Sequence, residues 1–336
     1  MNVVLTGATG FVGKCLIERL LSESYLVKAF VRQASSELPL TVKQIVVGEL
    51  AEFGLDYPTS VLREAFSGVD IVVHAAARVH VMSDDVSNSL SEFRKVNRDA
   101  TLVLARLAAE TGVKRFVFLS SIKVNGEMTK LGHLFTPDDV HVPDDPYGLS
   151  KYEAEQGLLS LSQETAMEVV IIRPPLVYGP GVKANFSSMM KWMSKPVLLP
   201  FGAIHNQRSL VALDNLVSFI SLCADREKSP LAANQIFLIS DGEDVSTSQL
   251  LRKVGQAINL QSFLSLKAWL VPVPVSTMMF LAKLLGKGDM ATRLFGSLQV
   301  NSSKARDSLR WQPVVTMDEQ LSKMVMLNEN ENEKSL

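Results

Sequence analysis

A tyrosine and a lysine stand four residues apart in the stretch Tyr147-Gly148-Leu149-Ser150-Lys151. On a helix, positions i and i+4 share one face, so a phenol and an ammonium would converge there. A free phenol has a pKa of about 10, and a neighbouring ammonium lowers that pKa by favouring the phenolate. The spacing predicts that Tyr147 is a general acid and base assisted by Lys151, a role worth about 10²–10⁴ in rate. The alternative is a half-buried tyrosine at a helix start.

Two hydroxyls end a strand-like run, Phe116-Val117-Phe118-Leu119-Ser120-Ser121, 26 residues before Tyr147. Parallel strands present their carboxyl ends to the ligand crevice of an α/β sheet. We therefore expect the Ser121 hydroxyl to hold a substrate oxygen toward Tyr147, with Ser120 as the second choice. The alternative is that the two serines only cap the end of the strand.

A glycine-rich loop directly follows the first apolar run, in Thr6-Gly7-Ala8-Thr9-Gly10-Phe11-Val12-Gly13. Glycine permits a tight turn and lets the backbone approach a pyrophosphate closely, and the free N–H groups at a helix start face the phosphates. The loop predicts dinucleotide binding, and the residues assigned to the phosphates are Gly7, Thr9, Gly10, Phe11 and Val12.

The end of the second strand-like run indicates which dinucleotide is bound. An acidic residue there would accept hydrogen bonds from the ribose 2′-hydroxyl of NAD, but this chain has Val31 followed by Arg32. A guanidinium suits a 2′-phosphate, so NADP(H) is favoured. NAD(H) stays possible if Arg32 is a solvated residue stacking on adenine. Glu49 and Leu50 are candidates for an adenine wall or for an ordinary loop.

Apolar runs alternate with helical patterns in the first half of the chain, which predicts a parallel sheet covered on both faces. We expect an α/β fold, a Rossmann doubly wound sheet with a smaller C-terminal α+β substrate domain. Residues 1–178 form the dinucleotide-binding domain and 179–327 the second domain, with segments near 208–220 and 235–240 returning to the first. The polar residues 328–336 are expected to be a disordered tail. The expected strands lie at 3–5, 27–31, 44–47, 71–74, 116–120 and 169–172, and the expected helices at 12–21, 93–110 and 151–165.

The composition argues against several classes of function. Lys and Arg total 34 against 35 Asp and Glu, a net charge of −1, so a nucleic-acid partner is not expected. The chain has only two cysteines and lacks a secretory pattern, which favours a cytoplasmic protein. The histidines lack ligand-like spacing, so no metal site is expected. The most apolar window, residues 268–286, contains Pro272, Pro274 and Lys283. It predicts a buried or subunit-facing helix and no integral membrane segment, with contact to a membrane surface as the lesser alternative.

Taken together, these motifs resemble the extended short-chain dehydrogenases/reductases of the NAD-dependent epimerase/dehydratase family. The resemblance rests on the G-x-x-G-x-x-G loop, the Ser121–Tyr147–Lys151 set and the stretch Arg173-Pro174-Pro175-Leu176-Val177-Tyr178-Gly179-Pro180-Gly181. It covers about residues 1–315 and points most closely to UDP-glucose 4-epimerases and bacterial nucleotide-sugar reductases. It implies a Rossmann sheet of seven or so strands, a UDP-sugar substrate, hydride transfer at a sugar carbon and a homodimer.

The resemblance also implies roles for residues outside those motifs. Ala75, Ala76 and Ala77 match the segment beside the adenosine ribose, and Asn97 matches a helix asparagine that steadies the sheet and reaches the cofactor. On the substrate side, Arg208 matches a diphosphate-binding arginine within a stretch like R-D-Y-I-H-V-x-D. Further matches are Pro174 and Pro175 beside the nicotinamide amide, Asn185 at the diphosphate, and Arg293 as a second phosphate arginine. A surface salt bridge is the alternative for Arg208 and the favoured interpretation for Arg293.

Two positions after Ser121 indicate which reaction is catalysed. Dehydratases of this superfamily carry Asp-Glu there, whereas this chain has Ile122 and Lys123, so dehydration is not expected. The residues around Lys123 resemble reductases that act on UDP-4-keto-6-deoxy-N-acetylglucosamine in O-antigen or capsule synthesis, and Lys123 is expected either to contact substrate or to be solvated. The favoured function is 4-keto reduction. A UDP-glucose or UDP-N-acetylglucosamine 4-epimerase with retained NAD is the alternative, and a non-catalytic NADP-sensing regulator is a more distant one.

Overall fold

Short runs of β-branched and aromatic residues form the central sheet in the computed structural model of the chain. The structure describes residues 1–53, 59–79, 86–130, 132–139, 141–182, 185–195, 197–261, 269–286 and 288–333. Within these residues, seven strands pair in parallel in the order β3-β2-β1-β4-β5-β6-β10. They are β1 (Asn2–Thr6), β2 (Leu26–Val31), β3 (Lys43–Val46), β4 (Ile71–His74), β5 (Arg115–Leu119), β6 (Glu168–Arg173) and β10 (Gln235–Leu238).

Helices cover both faces of this sheet and enclose two apolar cores. One core lies under α1 (Phe11–Ser22) and α7 (Leu213–Ala224), and the other lies under α2 (Thr59–Phe66), α4 (Ala100–Glu110) and α5 (Pro146–Glu164). The central strands β4 and β5 are buried along nearly their whole length because helices pack on both sides. The predicted Rossmann sheet is confirmed, and the strand order reverses between β1 and β4, where such sheets bind ligands.

The helix predicted over residues 93–110 is interrupted. It consists of α3 (Val86–Arg94), a π-helical turn over Lys95–Asp99, and α4. Such turns insert one extra residue into the helical repeat and are frequent at functional sites. Here the π turn buries Asn97 completely and directs it toward α5.

The second half of the chain forms smaller elements around a third core. Strands β7 (Leu176–Tyr178), β9 (Arg208–Ala212) and β11 (Asp244–Val245) form one small sheet, and β8 (Leu198–Leu199) pairs with β12 (Trp269–Leu270). Their core includes side chains of α6 (Asn185–Met193), α8 (Thr247–Gln261) and α12 (Met317–Glu333). In the same half of the chain, β10 extends the main sheet beside β6, and α7 packs on α1. Helix α12 extends to Glu333, into the segment whose composition predicted disorder.

The apolar window of the sequence forms helix α9 (Val275–Leu284), followed by α10 (Gly288–Phe295) and α11 (Ser303–Leu309). Apolar side chains on one face of α9 are exposed in this single chain, among them Phe280 and Leu284. The expectation that α9 is buried inside the subunit is therefore wrong for this face, whereas the subunit-facing alternative stays a prediction. Among the residues that the structure describes, no helix is both long enough and apolar enough to cross a membrane.

Candidate active site

The glycine loop joins β1 to α1 through a turn that only glycine fits easily. Gly7 has a φ of +73°, and a Cβ built on it would lie 2.7 Å from the Ala76 backbone nitrogen. A Cβ on Gly13 would lie 2.0 Å from the Gly7 carbonyl oxygen. Gly7 therefore permits the backbone turn against the end of β4, and Gly13 lets α1 pack against the loop.

The first turn of α1 offers donors to an anion. Gly10 is the N-cap residue and has no side chain to accept from the first-turn amides, and its own N–H donates to the Gly7 carbonyl oxygen at 2.9 Å. The amides of Phe11 and Val12 open the helix, where the helix dipole also favours negative charge. This cradle fits the pyrophosphate of a dinucleotide, with Thr9 and Gly10 exposed on its rim.

The neighbouring strand end supports the loop through a buried histidine. His74, the last residue of β4, is hydrogen-bonded through Nδ1 to the Thr6 hydroxyl at 2.7 Å and through Nε2 to the Thr101 hydroxyl at 2.9 Å. The Thr6 hydroxyl also accepts from the Ala76 N–H at 3.2 Å. Burial, together with the charge of Lys151, lowers the pKa of His74 to about 3. His74 is therefore a neutral link between the phosphate loop, residues 75–77 and α4.

Asn97 connects this region to the helix that carries the predicted acid/base. Its carbonyl oxygen accepts from the Arg78 N–H at 2.9 Å, while its amide donates to the Arg78 carbonyl at 3.0 Å and to the Ser150 hydroxyl at 3.0 Å. Ser150 in turn donates to the Tyr147 carbonyl oxygen at 2.8 Å. In this structure Asn97 holds the loop after β4 and the first turn of α5, both of which border the predicted cofactor crevice.

Tyr147 lies in the first turn of α5, and its position follows from local capping. Asp145 caps the helix by accepting from the Gly148 N–H at 2.8 Å, and Pro146 occupies the first helical position, where no N–H is needed. The Ser121 side chain lies close enough to the phenol to lower its pKa, and the Tyr147 ring packs edge-on against Phe93 with centroids 5.8 Å apart. The structure thus brings Ser121 and Tyr147 together as predicted from the parallel-strand geometry.

The protonation of this pair differs from the sequence-based expectation. The pKa of Tyr147 is raised to about 12, mainly by burial; the hydrogen bond with Ser121 opposes the rise and the charge of Asp145 adds to it. The lowered pKa expected beside Lys151 is not found, because desolvation of the phenolate is the largest cause of the shift. Near neutral pH, Tyr147 therefore carries its proton and can donate it.

Lys151 is held beneath the end of β5. Its side chain is 1% exposed, its ammonium donates to the Leu119 carbonyl oxygen at 2.9 Å, and the nitrogen lies 4.4 Å from the centroid of the Phe118 ring. Burial lowers the pKa of Lys151 to about 7, and the charge of Glu155 opposes that fall. The lysine charge in this site therefore depends on its buried surroundings.

The two strand-end serines have different partners. Ser120 is buried and donates to Glu155 Oε1 at 2.5 Å, whereas Ser121 accepts from the Lys123 N–H at 3.3 Å and contacts the Tyr147 phenol. Ser120 is thus engaged below the sheet edge, and Ser121 is the hydroxyl beside the acid/base. This arrangement favours Ser121 over Ser120 as the substrate-polarising group.

Lys123 lies beside the same phenol. Its ammonium donates to Asp145 Oδ1 and Glu127 Oε1, both at 3.1 Å, and lies 5.9 Å from the centroid of the Tyr147 ring. The preceding Ile122 is buried, and its N–H donates to the Pro174 carbonyl oxygen at 3.0 Å. Neither position holds a carboxylate, so the acid and base of a dehydratase are not present at these two positions.

At the adenosine end, two predicted residues contact each other. Arg32 Nη1 lies 3.3 Å from Glu49 Oε1, and the Arg32 side chain is 71% exposed. Val31 before it is buried, and Leu50 packs partly buried against the core under α2. An exposed guanidinium and the carboxylate that pairs with it therefore both border the expected ribose position, and the carboxylate partly neutralises the guanidinium.

The predicted residues of the substrate side are only partly described. Arg208 lies at the start of β9, donates to the Gly296 carbonyl oxygen at 3.2 Å, and has a pKa lowered by burial. Asn185 begins α6 and Arg293 lies in α10, but the side chains of both are outside the described residues. The buried Pro174 and Pro175 join β6 to β7. Within the described residues, no three metal-ligating side chains cluster.

Residue-by-residue inspection of the sequence missed several groups that shape the site. His74 appeared only as the end of an apolar strand, and Asp145 could have been found as an N-cap residue before Pro146. Glu155 and Arg173 form a buried ion pair beneath Ser120 and Lys151. Glu155 follows Lys151 by one helical turn, and this spacing could have indicated that the two charges interact. Its ion-pair partner Arg173 lies on β6, so the sequence gives no signal for that contact.

The chain is similar to several known proteins. The model of the NAD dependent epimerase/dehydratase family matches residues 3–239, more than half of the chain. A Vibrio cholerae protein named UDP-glucose 4-epimerase is 45% identical over 320 residues, covering 95% of this chain and 92% of that protein. An Escherichia coli O157:H7 protein named N-acetyl-alpha-D-glucosaminyl-diphospho-ditrans,octacis-undecaprenol 4-epimerase is 30% identical over 263 residues, covering 77% and 72%. The structure of Thermotoga maritima UDP-glucose 4-epimerase with UDP-glucose superposes with a TM-score of 0.74 at 22% identity, covering 99% of this chain and all of that one.

Proposed function

We propose that this chain, which belongs to the NAD dependent epimerase/dehydratase family, is a UDP-hexose 4-epimerase that works by hydride transfer at the fourth sugar carbon. The extent of its similarity to the Vibrio cholerae UDP-glucose 4-epimerase is the observation that carries this proposal. The grouping of Ser121, Tyr147 and Lys151 supports it, because such a set can take and return a proton at a sugar hydroxyl.

Each group has a role that follows from its contacts. Tyr147 exchanges a proton with the oxygen on the fourth carbon, and Ser121, which contacts the phenol, positions and polarises that oxygen. Lys151 supplies a positive charge close to the end of β5, which favours the phenolate when the proton has left. The loop of Gly7, Gly10 and the first turn of α1 would hold the dinucleotide, whose nicotinamide supplies the hydride acceptor and donor when bound.

Reduction of a 4-keto sugar with NADPH is the second candidate, and two observations favour it. Burial keeps the Tyr147 phenol protonated near neutral pH, which is the form that donates to a developing alkoxide. At the ribose end, Val31 cannot accept from a 2′-hydroxyl, whereas the exposed Arg32 suits a 2′-phosphate. The pairing of Arg32 with Glu49 weakens this preference, since the carboxylate repels a phosphate. NADP(H) preference is therefore part of this second candidate.

Incubation with UDP-glucose or UDP-N-acetylglucosamine without added cofactor tests the first candidate. The galacto epimer is expected to accumulate to equilibrium, measured by NMR or chromatography of the nucleotide sugars. Tyr147→Phe should remove this activity, while Tyr152→Phe, a matched change on the same helix, should leave it. If no epimer forms, and if the protein instead consumes one NADPH for each UDP-4-keto sugar supplied, the second candidate, 4-keto reduction, would be favoured over epimerisation.

The cofactor preference is tested separately by titrating the protein with NADPH and NADH. If the ribose end selects a 2′-phosphate, NADPH binds more tightly and Arg32→Ala removes the difference. Arg63→Ala is the matched control, because Arg63 is also an exposed arginine paired with a glutamate, Glu110, but lies on α2. Equal affinities in the wild type, or tightly co-purifying NAD, would count against NADP(H).

A further inference from the structure

A buried ion pair lies directly behind the proposed catalytic residues. Arg173, the last residue of β6, donates from Nε and Nη2 to the Glu155 carboxylate on α5 at 3.0 and 2.5 Å. Arg173 is 4% exposed and Glu155 is fully buried. Two charges removed from water need close partners, so neither side chain can change position without leaving the other uncompensated.

This pair is connected to the strand end that presents the Ser121 hydroxyl. Glu155 Oε1 accepts from the Ser120 hydroxyl at 2.5 Å, and the remaining Arg173 Nη1 donates to Asn125 Oδ1 at 3.0 Å. Ser120 precedes Ser121, and Asn125 follows the short helical turn that Ser121 caps. The pair therefore fixes the segment on both sides of Ser121.

The same carboxylate also acts on Lys151. Glu155 lies one turn beyond Lys151 on α5, and its negative charge favours the ammonium against the burial that lowers the pKa of Lys151. His74 on β4 is neutral, and its pKa is lowered in part by the Lys151 charge, while Tyr147 stands one helical turn before Lys151 on α5. Arg173 on β6 offsets part of the Glu155 charge through the ion pair.

We propose that Glu155 is a positioning residue of the C4 hydride-transfer site: it anchors the segment that carries Ser121 and supplies the counter-charge for the Lys151 ammonium. This rests on the proposed function, since it assigns a role within that chemistry. Glu155 does not touch the reacting atoms, so its action passes through Ser120 and Lys151. Arg173 moderates that charge, and removing it should act in the opposite direction from removing Glu155.

The pH dependence of kcat in the dinucleotide-loaded enzyme separates this role from a merely structural one. In Glu155→Gln the alkaline limb, where Lys151 loses its proton, should move to lower pH by about one unit or more, the usual size of such a charge effect. In Arg173→Gln the unpaired carboxylate should move it to higher pH. Ser120→Ala keeps both charges, so it should leave the alkaline limb where it is in the wild type. Glu155→Asp keeps the negative charge, so its alkaline limb should lie closer to the wild-type position than that of Glu155→Gln.

Thermal unfolding without substrate gives a readout that does not depend on turnover. The folded pKa of Lys151 is about 7 and lies below its unfolded value, so the unfolded chain holds more protons above pH 7 and stability rises with pH. In Glu155→Gln the pKa of Lys151 should be lower still, so this rise in stability should begin at lower pH. The Tm of the variant should lie below that of the wild type at about pH 6, and the difference between them should shrink by about pH 8. If the wild type lacks C4 activity, the proposed function fails, but the Tm measurement still tests the effect of Glu155 on the Lys151 charge.

Folding of each variant is checked by circular dichroism before either assay. The proposal would be overturned if Glu155→Gln or Arg173→Gln folds but keeps the wild-type alkaline limb of kcat and the wild-type pH dependence of Tm. Failure of both variants to fold would also overturn it, because the pair would then serve stability alone. Opposite shifts in the two variants support it, since a general loss of packing moves both in the same way.

Discussion

Substitution of Gly7 by alanine tests whether the phosphate cradle depends on a missing side chain. The change adds one methyl group at a residue with a φ of +73°, where the new Cβ would lie 2.7 Å from the Ala76 nitrogen and 2.8 Å from the Ala75 carbonyl carbon. Both neighbours are backbone atoms, so rotation of a side chain cannot relieve the contact. The loop and the end of β4 must separate instead.

The cost has two parts that the structure allows us to separate. A left-handed conformation costs a non-glycine residue about 1–2 kcal/mol. Reaching an ordinary contact requires an opening of about 0.7 Å, which strains the hydrogen bond from the Ala76 N–H to the Thr6 hydroxyl, worth about 1 kcal/mol. We expect Gly7→Ala to lose about 2–3 kcal/mol of unfolding free energy, and dinucleotide affinity to fall at least about tenfold because the cradle is displaced.

Gly112→Ala is the matched control. Gly112 also has a positive φ, +86°, but a Cβ there would meet no atom within 4 Å. It should therefore lose only the conformational part, and its dinucleotide affinity should equal that of the wild type. Denaturant unfolding measures the stabilities, and fluorescence titration with NADH and NADPH measures the affinities. If Gly7→Ala loses no more stability than Gly112→Ala and binds both dinucleotides normally, the cradle argument is refuted.

Three further predictions follow from the site and its surroundings. Tyr147→Phe should lower kcat by about 10²–10⁴ with little change in dinucleotide affinity, because the lost group transfers a proton, and steady-state kinetics with a binding titration checks both. Stability should decline as pH falls from about 6.5 toward 3, since the unfolded chain protonates His74 while the folded ring, with its pKa lowered to about 3, does not. Acid titrations of unfolding should show that His74→Gln lacks this component, which amounts to about 5 kcal/mol at most. In light scattering, the chain of 36.9 kDa should have about twice its monomer mass, as the homodimer implied by the family resemblance requires.

The parts of the site that follow from local chain rules could be predicted from the sequence. A glycine at position 7 directly after an apolar run indicates a strand-to-helix phosphate loop, and the structure has that geometry. Ser121 and Tyr147 were expected to meet because a strand end and a helix start open onto one edge of a parallel sheet. These predictions depend only on periodicity and on the direction of parallel strands.

Contacts between distant elements could not be predicted in the same way. Arg32 and Glu49 were each assigned to the adenosine, but the ion pair between them depends on how β2 and the segment after β3 are spaced. The π turn at Lys95–Asp99 gives no signal in the sequence, because its residues suit an ordinary helix equally well. Both features depend on three-dimensional packing, which overrides local preference.

The protonation of Tyr147 shows most clearly why spacing alone is insufficient. An i, i+4 lysine predicts a lowered phenol pKa only if the cost of burying the phenolate is small compared with the charge interaction. In the structure Lys151 donates to the Leu119 carbonyl, and burial raises the pKa of Tyr147 to about 12. The charge on Lys151 in turn depends on Glu155, which is buried against a residue of another strand. The acid/base behaviour of the pair is thus set by the fold around it, so variants of Glu155 and Arg173 test how that behaviour is set, whereas variants of Tyr147 test the proton transfer itself.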